Sequence, residues 1–342
     1  MIFLAEVTKS NIDEYLCNYN IIVCKIRNSR LKAKQIAILE MIFAQIDNEI
    51  LLIKNGPLGD IKGIISFFCP KRNLKVFRDR LFSIGYCYKF YLLDFENETK
   101  SAPAGLKTIN PLIWKGRKFS ICDFYCQDSK VYEEQSPHKR EFKTGCDGEI
   151  KTITGYRGNG SELGRRALPV EDARCMVNLS LPNKNKKTLD PFAGAGGIVY
   201  QYKYIAPDAV VTTIDIDPVL KPGLESFGSI HYVMNAKEGL FSKNSFDSIV
   251  TETPFSEKAV DDIIAALNKI NCWLSDDGIF VIMCEKNQCS RIYNSMAEEN
   301  ICLLFSHEID RKGIDVEISI WWKNKNLIPD MEDFISILRK IY

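Results

Sequence analysis

Residues 188–197, TLDPFAGAGG, join an apolar segment to a helix-forming segment through a loop with three glycines. Glycine has no Cβ, so its backbone takes conformations closed to other residues and approaches a ligand closely. The following helix would begin with unbonded N–H groups and the positive end of its dipole, which favour a polar ligand. The stretch therefore predicts a strand, a cofactor-binding loop and a helix. It lacks the G-x-G-x-x-G spacing of a dinucleotide fold.

From residue 188 onward, short apolar runs alternate with helical periodicity, which indicates βαβ units and a parallel sheet. We predict helices at 196–204, 257–273 and 287–299. The predicted parallel strands are Lys187–Leu189, Val210–Ile214, His231–Met234, Ser248–Thr251 and Gly278–Cys284. Two further strands, ICLLFSHEID and DVEISIWWK, are separated only by RKG and therefore predict an antiparallel hairpin.

The rest of the chain predicts a second, smaller domain. Residues 1–95 mix strand-forming and helix-forming segments, which is typical of an α+β domain. Residues 96–165 are polar and rich in turn residues, and they predict a connector with a few strands. Residues 166–342 would then form the α/β, Rossmann-like domain.

The motif D-P-F-x-G-x-G-G and the layout of five parallel strands followed by a hairpin resemble the class I S-adenosylmethionine-dependent methyltransferases. Within that class, residues from about 160 to 322 are similar to the THUMP-associated guanosine-N2 tRNA methyltransferases. The resemblance implies S-adenosylmethionine as the cofactor. The cofactor-binding residues that it implies are Asp190, Phe192, Ala193, Gly194, Gly196, Asp215, Ile216, Asn235 and Ala236.

Two of these residues have a defined expected role. Asp215 lies at the end of the second strand, where a carboxylate can accept hydrogen bonds from both ribose hydroxyls of an adenosine. At the end of the third strand the family usually has Asp-Ala, and this chain has Asn235-Ala236. An asparagine still accepts through its amide oxygen but carries no charge.

The stretch FDSIVTETPF, residues 246–255, ends the fourth strand, where this fold carries its catalytic residues. The matching family motif is Asp or Asn, two prolines and an aromatic residue. In it, a side-chain oxygen and a backbone carbonyl accept the two amine hydrogens, and the ring stacks on the target base. Methyl transfer asks for little beyond this alignment and the handling of a proton. The corresponding residues here are Glu252, Thr253, Pro254 and Phe255, of which the first two depart from the family motif.

The charge distribution points to a polyanionic partner. Residues 1–187 carry 31 Lys and Arg against 21 Asp and Glu, whereas residues 188–342 carry 14 against 23. Basic side chains mixed with aromatic rings suit a folded RNA, although a solvated charged surface explains the same composition. The candidate RNA-binding residues are Lys115, Arg117, Lys118, Lys139, Arg140, Arg165 and Arg166.

The composition also narrows the location of the protein. The N-terminus has no basic region ahead of an apolar core, and no apolar run approaches the length of a membrane helix, so we expect a cytoplasmic protein. The twelve cysteines include no C-x-x-C pair, so we expect reduced thiols and no metal site. A zinc site at Cys122, Cys126, His138 and Cys146 is the alternative.

We therefore expect a methyltransferase acting on an exocyclic amine of structured RNA, with guanosine N2 in tRNA as the first choice. Two alternatives stay open: an adenine-N6 methyltransferase acting on DNA or RNA, and a non-catalytic RNA-binding paralogue. An enzyme that needs a small activating protein partner is a further variant.

Overall fold

The computed structural model describes residues 3–95, 112–155, 167–182, 184, 187–297, 301–311 and 313–342. The chain divides into two units. The first comprises Met1–Asp128 with Asp333–Tyr342, and the second comprises Ser129–Glu332.

The elements of the first unit alternate strands with short helices. In chain order they are β1 (Leu4–Ala5), α1 (Ile12–Asn18), β2 (Tyr19–Ile26), α2 (Lys34–Ala44), β3 (Leu51–Ile53), β4 (Ile64–Pro70), α3 (Leu74–Asp79), β5 (Cys87–Asp94), β6 (Ile113–Trp114), β7 (Arg117–Lys118) and β8 (Ser120–Cys126).

The second unit begins with a helix and a hairpin and continues with alternating strands and helices. Its elements are α4 (Ser129–Glu134), β9 (Glu141–Thr144), β10 (Lys151–Thr154), α5 (Val170–Leu179), β11 (Lys187–Asp190), α6 (Gly197–Ile205), β12 (Val210–Asp215), α7 (Lys221–Ser226), β13 (Ile230–Val233), β14 (Phe246–Glu252), α8 (Val260–Trp273), β15 (Leu274–Glu285), α9 (Lys286–Ala297), β16 (Cys302–Asp310) and β17 (Asp315–Trp322). The last helix, α10 (Met331–Ile341), joins the first unit from Asp333 onward.

The main sheet of the second unit has the strand order β13-β12-β11-β14-β15-β17-β16. Strands β11 to β15 pair in parallel, and the β16–β17 hairpin pairs antiparallel along β15. This is the sheet layout of the class I methyltransferases. The predicted Rossmann-like fold with a C-terminal antiparallel hairpin is therefore confirmed.

The central strands of this sheet are buried on both faces, as expected for parallel strands covered by helices. In β15, the consecutive residues Phe280, Val281 and Ile282 are fully buried. Helix α8 packs its apolar side, including Ile263 and Leu267, into the same core. The sheet is thus a rigid support for the loops at its strand ends.

The first unit is built on a six-stranded sheet with the order β1-β3-β4-β2-β5-β8, which agrees with the predicted α+β domain. Its extent differs from the predicted range of 1–95. Strand β8, which lies in the predicted connector of residues 96–165, pairs antiparallel with β5 and so belongs to this sheet. The first unit therefore extends to Asp128. Residues 333–342 also belong here, with the Phe334 ring 5.4 Å from the Phe3 ring, and not to the predicted domain of 166–342.

Arg140, which the sequence places among the RNA-binding residues, is instead a buried support for the glycine loop. Its side chain is 5% exposed, and Nη2 donates a hydrogen bond of 3.1 Å to the carbonyl oxygen of Ala195. Its guanidinium carbon lies 5.1 Å from the centroid of Tyr200 and 5.2 Å from that of Phe227. The neighbouring Lys139 is exposed. The prediction for Arg140 is corrected accordingly, because a buried guanidinium cannot reach a phosphate.

Arg140→Ala should lower the free energy of unfolding by about 2–4 kcal/mol, since it removes a buried hydrogen bond and two ring contacts. Lys139→Ala is the matched control and should change it by less than about 0.5 kcal/mol. Urea unfolding can be followed by tryptophan fluorescence, because three of the four tryptophans, Trp273, Trp321 and Trp322, lie in the second unit. Equal effects of the two substitutions would contradict the structural role of Arg140.

Candidate functional site

A cavity of about 640 Å³ opens at the carboxyl ends of the parallel strands in the second unit. Four strand ends contribute to its wall. The predicted site residues that line it lie at each strand end or just beyond it: Asp190, Phe192, Ala193 and Gly194 for β11, Asp215 and Ile216 for β12, Asn235 and Ala236 for β13, and Glu252, Thr253, Pro254 and Phe255 for β14.

The glycine loop faces the cavity at Gly194. This residue has a φ of +48°, and a Cβ built on it meets no other heavy atom within 4 Å, so the space beside it belongs to the cavity. Gly196 is different: it does not line the cavity, and a Cβ there would lie 3.0 Å from Leu224 and 3.1 Å from Phe227. Gly194 is thus available to a ligand, whereas Gly196 allows close packing behind the loop.

Asp215 connects the second strand end to the glycine loop. Its Oδ2 accepts a hydrogen bond of 2.8 Å from the Gly194 N–H, and its Oδ1 accepts one of 3.0 Å from the Asp217 N–H. Asp215 lines the cavity, so its carboxylate lies where the hydroxyl donors of a ligand would meet it. Asn235 also lines the cavity, and its Oδ1 accepts a hydrogen bond of 3.1 Å from the Lys237 N–H.

Asp190 lies at the bottom of the cavity and is 2% exposed. Its Oδ1 accepts hydrogen bonds from the Thr251 hydroxyl at 2.7 Å and from the Phe192 N–H at 3.3 Å. Burial raises the pKa of this carboxyl to about 7, and the neighbouring Asp215 and Glu252 charges act in the same direction. The residue thus titrates near neutral pH in the folded protein.

The loop after β14 is held by hydrogen bonds from β15 and α9. The Thr253 N–H donates to the Met283 carbonyl at 2.9 Å, which extends the strand pairing by one residue. The fully buried side chain of Gln288 donates from Nε2 to the carbonyls of Pro254 at 3.0 Å and Ser256 at 3.1 Å. Gln288 therefore fixes the loop backbone. No sequence pattern singles out Gln288, because a glutamine in a predicted helix carries no signal of its own.

The Glu252 carboxylate forms an ion pair with Arg311, a residue that the sequence pattern did not connect with it. The Glu252 side chain is 18% exposed and that of Arg311 is 8% exposed. Burial raises the pKa of Glu252 to about 7, while the Arg311 charge lowers it. The guanidinium carbon of Arg311 also lies 5.6 Å from the centroid of the Phe255 ring. Two of the four predicted catalytic residues are therefore contacted by one arginine.

The candidate RNA-binding residues fall in different places. Lys115, Arg117 and Lys118 lie on the β6–β7 hairpin of the first unit, where Arg117 forms an ion pair with Asp13. Lys139 is exposed in the second unit. Arg165 and Arg166 lie outside the described residues.

Among the residues that the structure describes, no helix is long and apolar enough to cross a membrane. No group of three or more His, Cys, Asp or Glu side chains in the same residues is arranged to hold a metal ion.

Comparison with known proteins gives likenesses to solved methyltransferase structures. TrmN from Thermus thermophilus is 16% identical over 51% of this chain and 55% of its own length, with a TM-score of 0.41. The chain thus spans only about half the length of TrmN. The N-methyltransferase NodS from Bradyrhizobium japonicum, in complex with S-adenosyl-L-homocysteine, is 15% identical over 45% of this chain and 87% of its own, with a TM-score of 0.37. A 1,6-didemethyltoxoflavin-N1-methyltransferase from Burkholderia thailandensis is 16% identical over 44% of this chain and 76% of its own length, with a TM-score of 0.34.

The sequence matches no protein-family model and no curated protein. The assignment of the fold accordingly rests on the strand order of this chain.

Asp190→Asn should flatten the pH dependence of the free energy of unfolding. Between pH 3.8 and about 7 the native Asp190 keeps a proton that the unfolded chain has released. Stability therefore falls as the pH rises, with a contribution of at most about 1.4 kcal/mol per pH unit. An asparagine keeps the acceptor for Thr251 and Phe192 but has no proton to lose.

Urea unfolding at pH 4.5, 5.5 and 6.5 measures this slope. The exposed Asp208→Asn is the control and should keep the wild-type slope. An Asp190→Asn slope identical to that of the wild type would show that the buried carboxyl does not titrate in this range.

Proposed function

We propose that this protein is a cytoplasmic methyltransferase that transfers a methyl group from S-adenosylmethionine to an exocyclic amine of a nucleobase in structured RNA. Our first choice of target is guanosine N2 in tRNA. One observation carries the proposal: the glycine loop, the carboxylate after β12 and the four-residue loop after β14 line the same cavity.

The cavity fits the cofactor in both size and chemistry. Its volume of about 640 Å³ lies within the range of sites for small molecules. Asp215 offers carboxylate oxygens to the ribose hydroxyls, and Asn235 offers an amide oxygen to the adenine amino group. The open space beside Gly194 lets the backbone approach the ligand. When bound, S-adenosylmethionine supplies an electrophilic methyl group.

The loop after β14 would then orient the acceptor. The Glu252 carboxylate and the Thr253 carbonyl accept the two hydrogens of the amine, so that the nitrogen lone pair points at the methyl group. The Phe255 ring stacks on the base. Once the nitrogen carried the methyl group supplied by the cofactor, it would release a proton. Glu252, with a pKa of about 7, is suited to accept that proton near neutral pH.

The charge asymmetry supports RNA as the substrate. The excess of Lys and Arg in residues 1–187 favours a polyanion, and structured RNA displays phosphates together with exposed bases. The β6–β7 hairpin and Lys139 carry the basic residues that we assign to RNA binding. Adenine N6, in DNA or RNA, is the alternative target, because the same loop can orient either amine.

A second candidate function is non-catalytic RNA binding. It is favoured by the ion pair between Glu252 and Arg311, because a carboxylate engaged by a guanidinium has fewer lone pairs free for an amine. The two functions differ in one respect: a single methyl transfer by the purified protein excludes the second.

A small activating protein partner stays part of the proposal. The edge strand β13 exposes the apolar side chains of Ile230, Tyr232 and Val233. An edge strand presents unpaired backbone groups to which another strand can add, and apolar side chains strengthen such pairing. Activity that appears only after a second protein is added would agree with a partner at this edge.

The deciding experiment is transfer of labelled methyl groups from S-adenosylmethionine to unmodified tRNA and, separately, to duplex DNA. Nucleoside digestion then identifies the product. Label in N2-methylguanosine supports the first choice, and label in N6-methyladenine supports the alternative target. Absence of label from both, with cofactor binding intact by calorimetry, favours the non-catalytic function or a missing partner.

Glu252→Ala should lower turnover by at least about a hundredfold, since alignment of the amine depends on this acceptor. The affinity for S-adenosylmethionine should stay within about twofold, because Glu252 contacts the acceptor side. The exposed Glu257→Ala, five residues on, is the matched control and should leave turnover unchanged. An unchanged rate in Glu252→Ala would remove this residue from the reaction.

Asp215→Ala should give the opposite pattern, with cofactor affinity weakened at least about tenfold, the value of one lost charged hydrogen bond of about 1.5 kcal/mol. Calorimetric titration with S-adenosylmethionine measures it, with the exposed Asp208→Ala as control. Wild-type affinity in a folded Asp215→Ala would mean that the ribose is bound elsewhere.

A further inference from the structure

Arg311 is placed in the cavity wall by the β16–β17 hairpin. The strand pairs Glu285–Val316 and Asp310–Asp315 bring the turn of the hairpin next to the carboxyl end of β15. The Arg311 N–H donates to the Ile314 carbonyl at 2.9 Å and closes this turn. Ile314 itself lines the cavity, so the turn is part of the candidate site.

The Arg311 side chain contacts four groups at once. It forms the ion pair with Glu252 and lies against the face of Phe255. Its Nη1 is 3.6 Å from the Met283 sulfur, and its Nε is 3.9 Å from Oδ2 of Asp172. A side chain held on this many sides, and only 8% exposed, has little freedom to change its rotamer.

The charges around Glu252 come from three elements. Arg311 faces it from the hairpin turn, the fully buried Asp172 from α5, and Asp190 from the end of β11. Removing the guanidinium would leave three carboxyl groups close together in a buried place. Like charges and burial both favour the protonated carboxyl, which accepts an amine hydrogen less well than a carboxylate does.

We propose that Arg311 is a positioning residue for the acceptor, which holds the Glu252 carboxylate and the Phe255 ring in the places that the amine and the base require. The proposal deepens the proposed function and rests on it. Arginine suits this role better than lysine, because its planar guanidinium donates to a carboxylate and stacks on a ring at the same time. Lysine would keep the charge but lose the ring contact.

The kinetic test compares wild type, Arg311→Gln and Arg311→Lys between pH 6 and 9. The turnover of the wild type should rise with pH as Glu252 loses its proton. In Arg311→Gln this rise should move up by at least about one pH unit, and turnover at pH 7 should fall at least about fivefold. Arg311→Lys should recover part of the loss at pH 7. Cofactor affinity should stay within about twofold in both variants.

The exposed Arg291→Gln, which removes a surface ion pair with Asp261 in the same unit, is the control and should keep the wild-type profile. Melting curves identify any variant that fails to fold, and Arg311→Lys, which keeps the buried charge, then carries the test. An Arg311→Gln enzyme with an unshifted profile and undiminished turnover would overturn the proposal. A faster enzyme would also overturn it, since Arg311 would then obstruct the acceptor.

A second measurement needs no turnover. The infrared band of the protonated Glu252 carboxyl can be assigned as the band that Glu252→Gln lacks. In Arg311→Gln this band should persist to a pH at least about one unit higher than in the wild type. If the wild type transfers no methyl group to any RNA, the proposed function fails. The infrared titration then still shows whether Arg311 controls the protonation of Glu252. A band that disappears at the same pH in both proteins would contradict the positioning role.

Discussion

The reversal of strand order between β11 and β14 is the constraint on which the candidate site depends. From β11 the chain proceeds outward through β12 and β13, and then returns across the sheet to β14 on the other side of β11. Right-handed crossovers in opposite directions leave a crevice at the carboxyl ends of the two central strands. Asp190 at the end of β11 and Glu252 at the end of β14 face this crevice. A different strand order would separate the glycine loop from the loop after β14, whatever their sequences.

The crevice concentrates buried acids, which is costly for folding. Asp190 and Glu252 line it, and burial raises the pKa of both to about 7. Asp172 does not line it but is fully buried and lies 3.9 Å from Nε of Arg311. A structural core would replace such groups by apolar residues, since buried carboxyls contribute little to stability unless they are well paired. Perturbed acids in a cavity are typical of functional sites. Arg311 offsets part of the cost, because its guanidinium lies against two of these three carboxyls.

Local patterns predicted the second unit well because its strands and helices are long enough to show their period. The predicted strand Val210–Ile214 corresponds to β12 at Val210–Asp215, and the predicted helix 257–273 contains α8 at Val260–Trp273. Two elements of the first unit were harder to predict from the sequence. Helix α1 has seven residues, too few for a clear period, and β8 takes its place only by pairing with β5 some thirty residues earlier. Because of that pairing the first unit extends to Asp128, beyond the predicted end at residue 95.

The sequence by itself determined the fold class and the loops that line the cavity, since glycines at a strand end and acids at neighbouring strand ends are local features. It also proposed Glu252 and Phe255 for the acceptor side, and both line the cavity, although no pattern shows what those side chains contact. Only the tertiary structure decided that Arg311 meets both, that Gln288 holds the loop backbone, and that Arg140 is buried behind the glycine loop. The physical reason is that these contacts join residues 32 to 59 positions apart through strand register and helix packing, which local sequence periodicity does not encode.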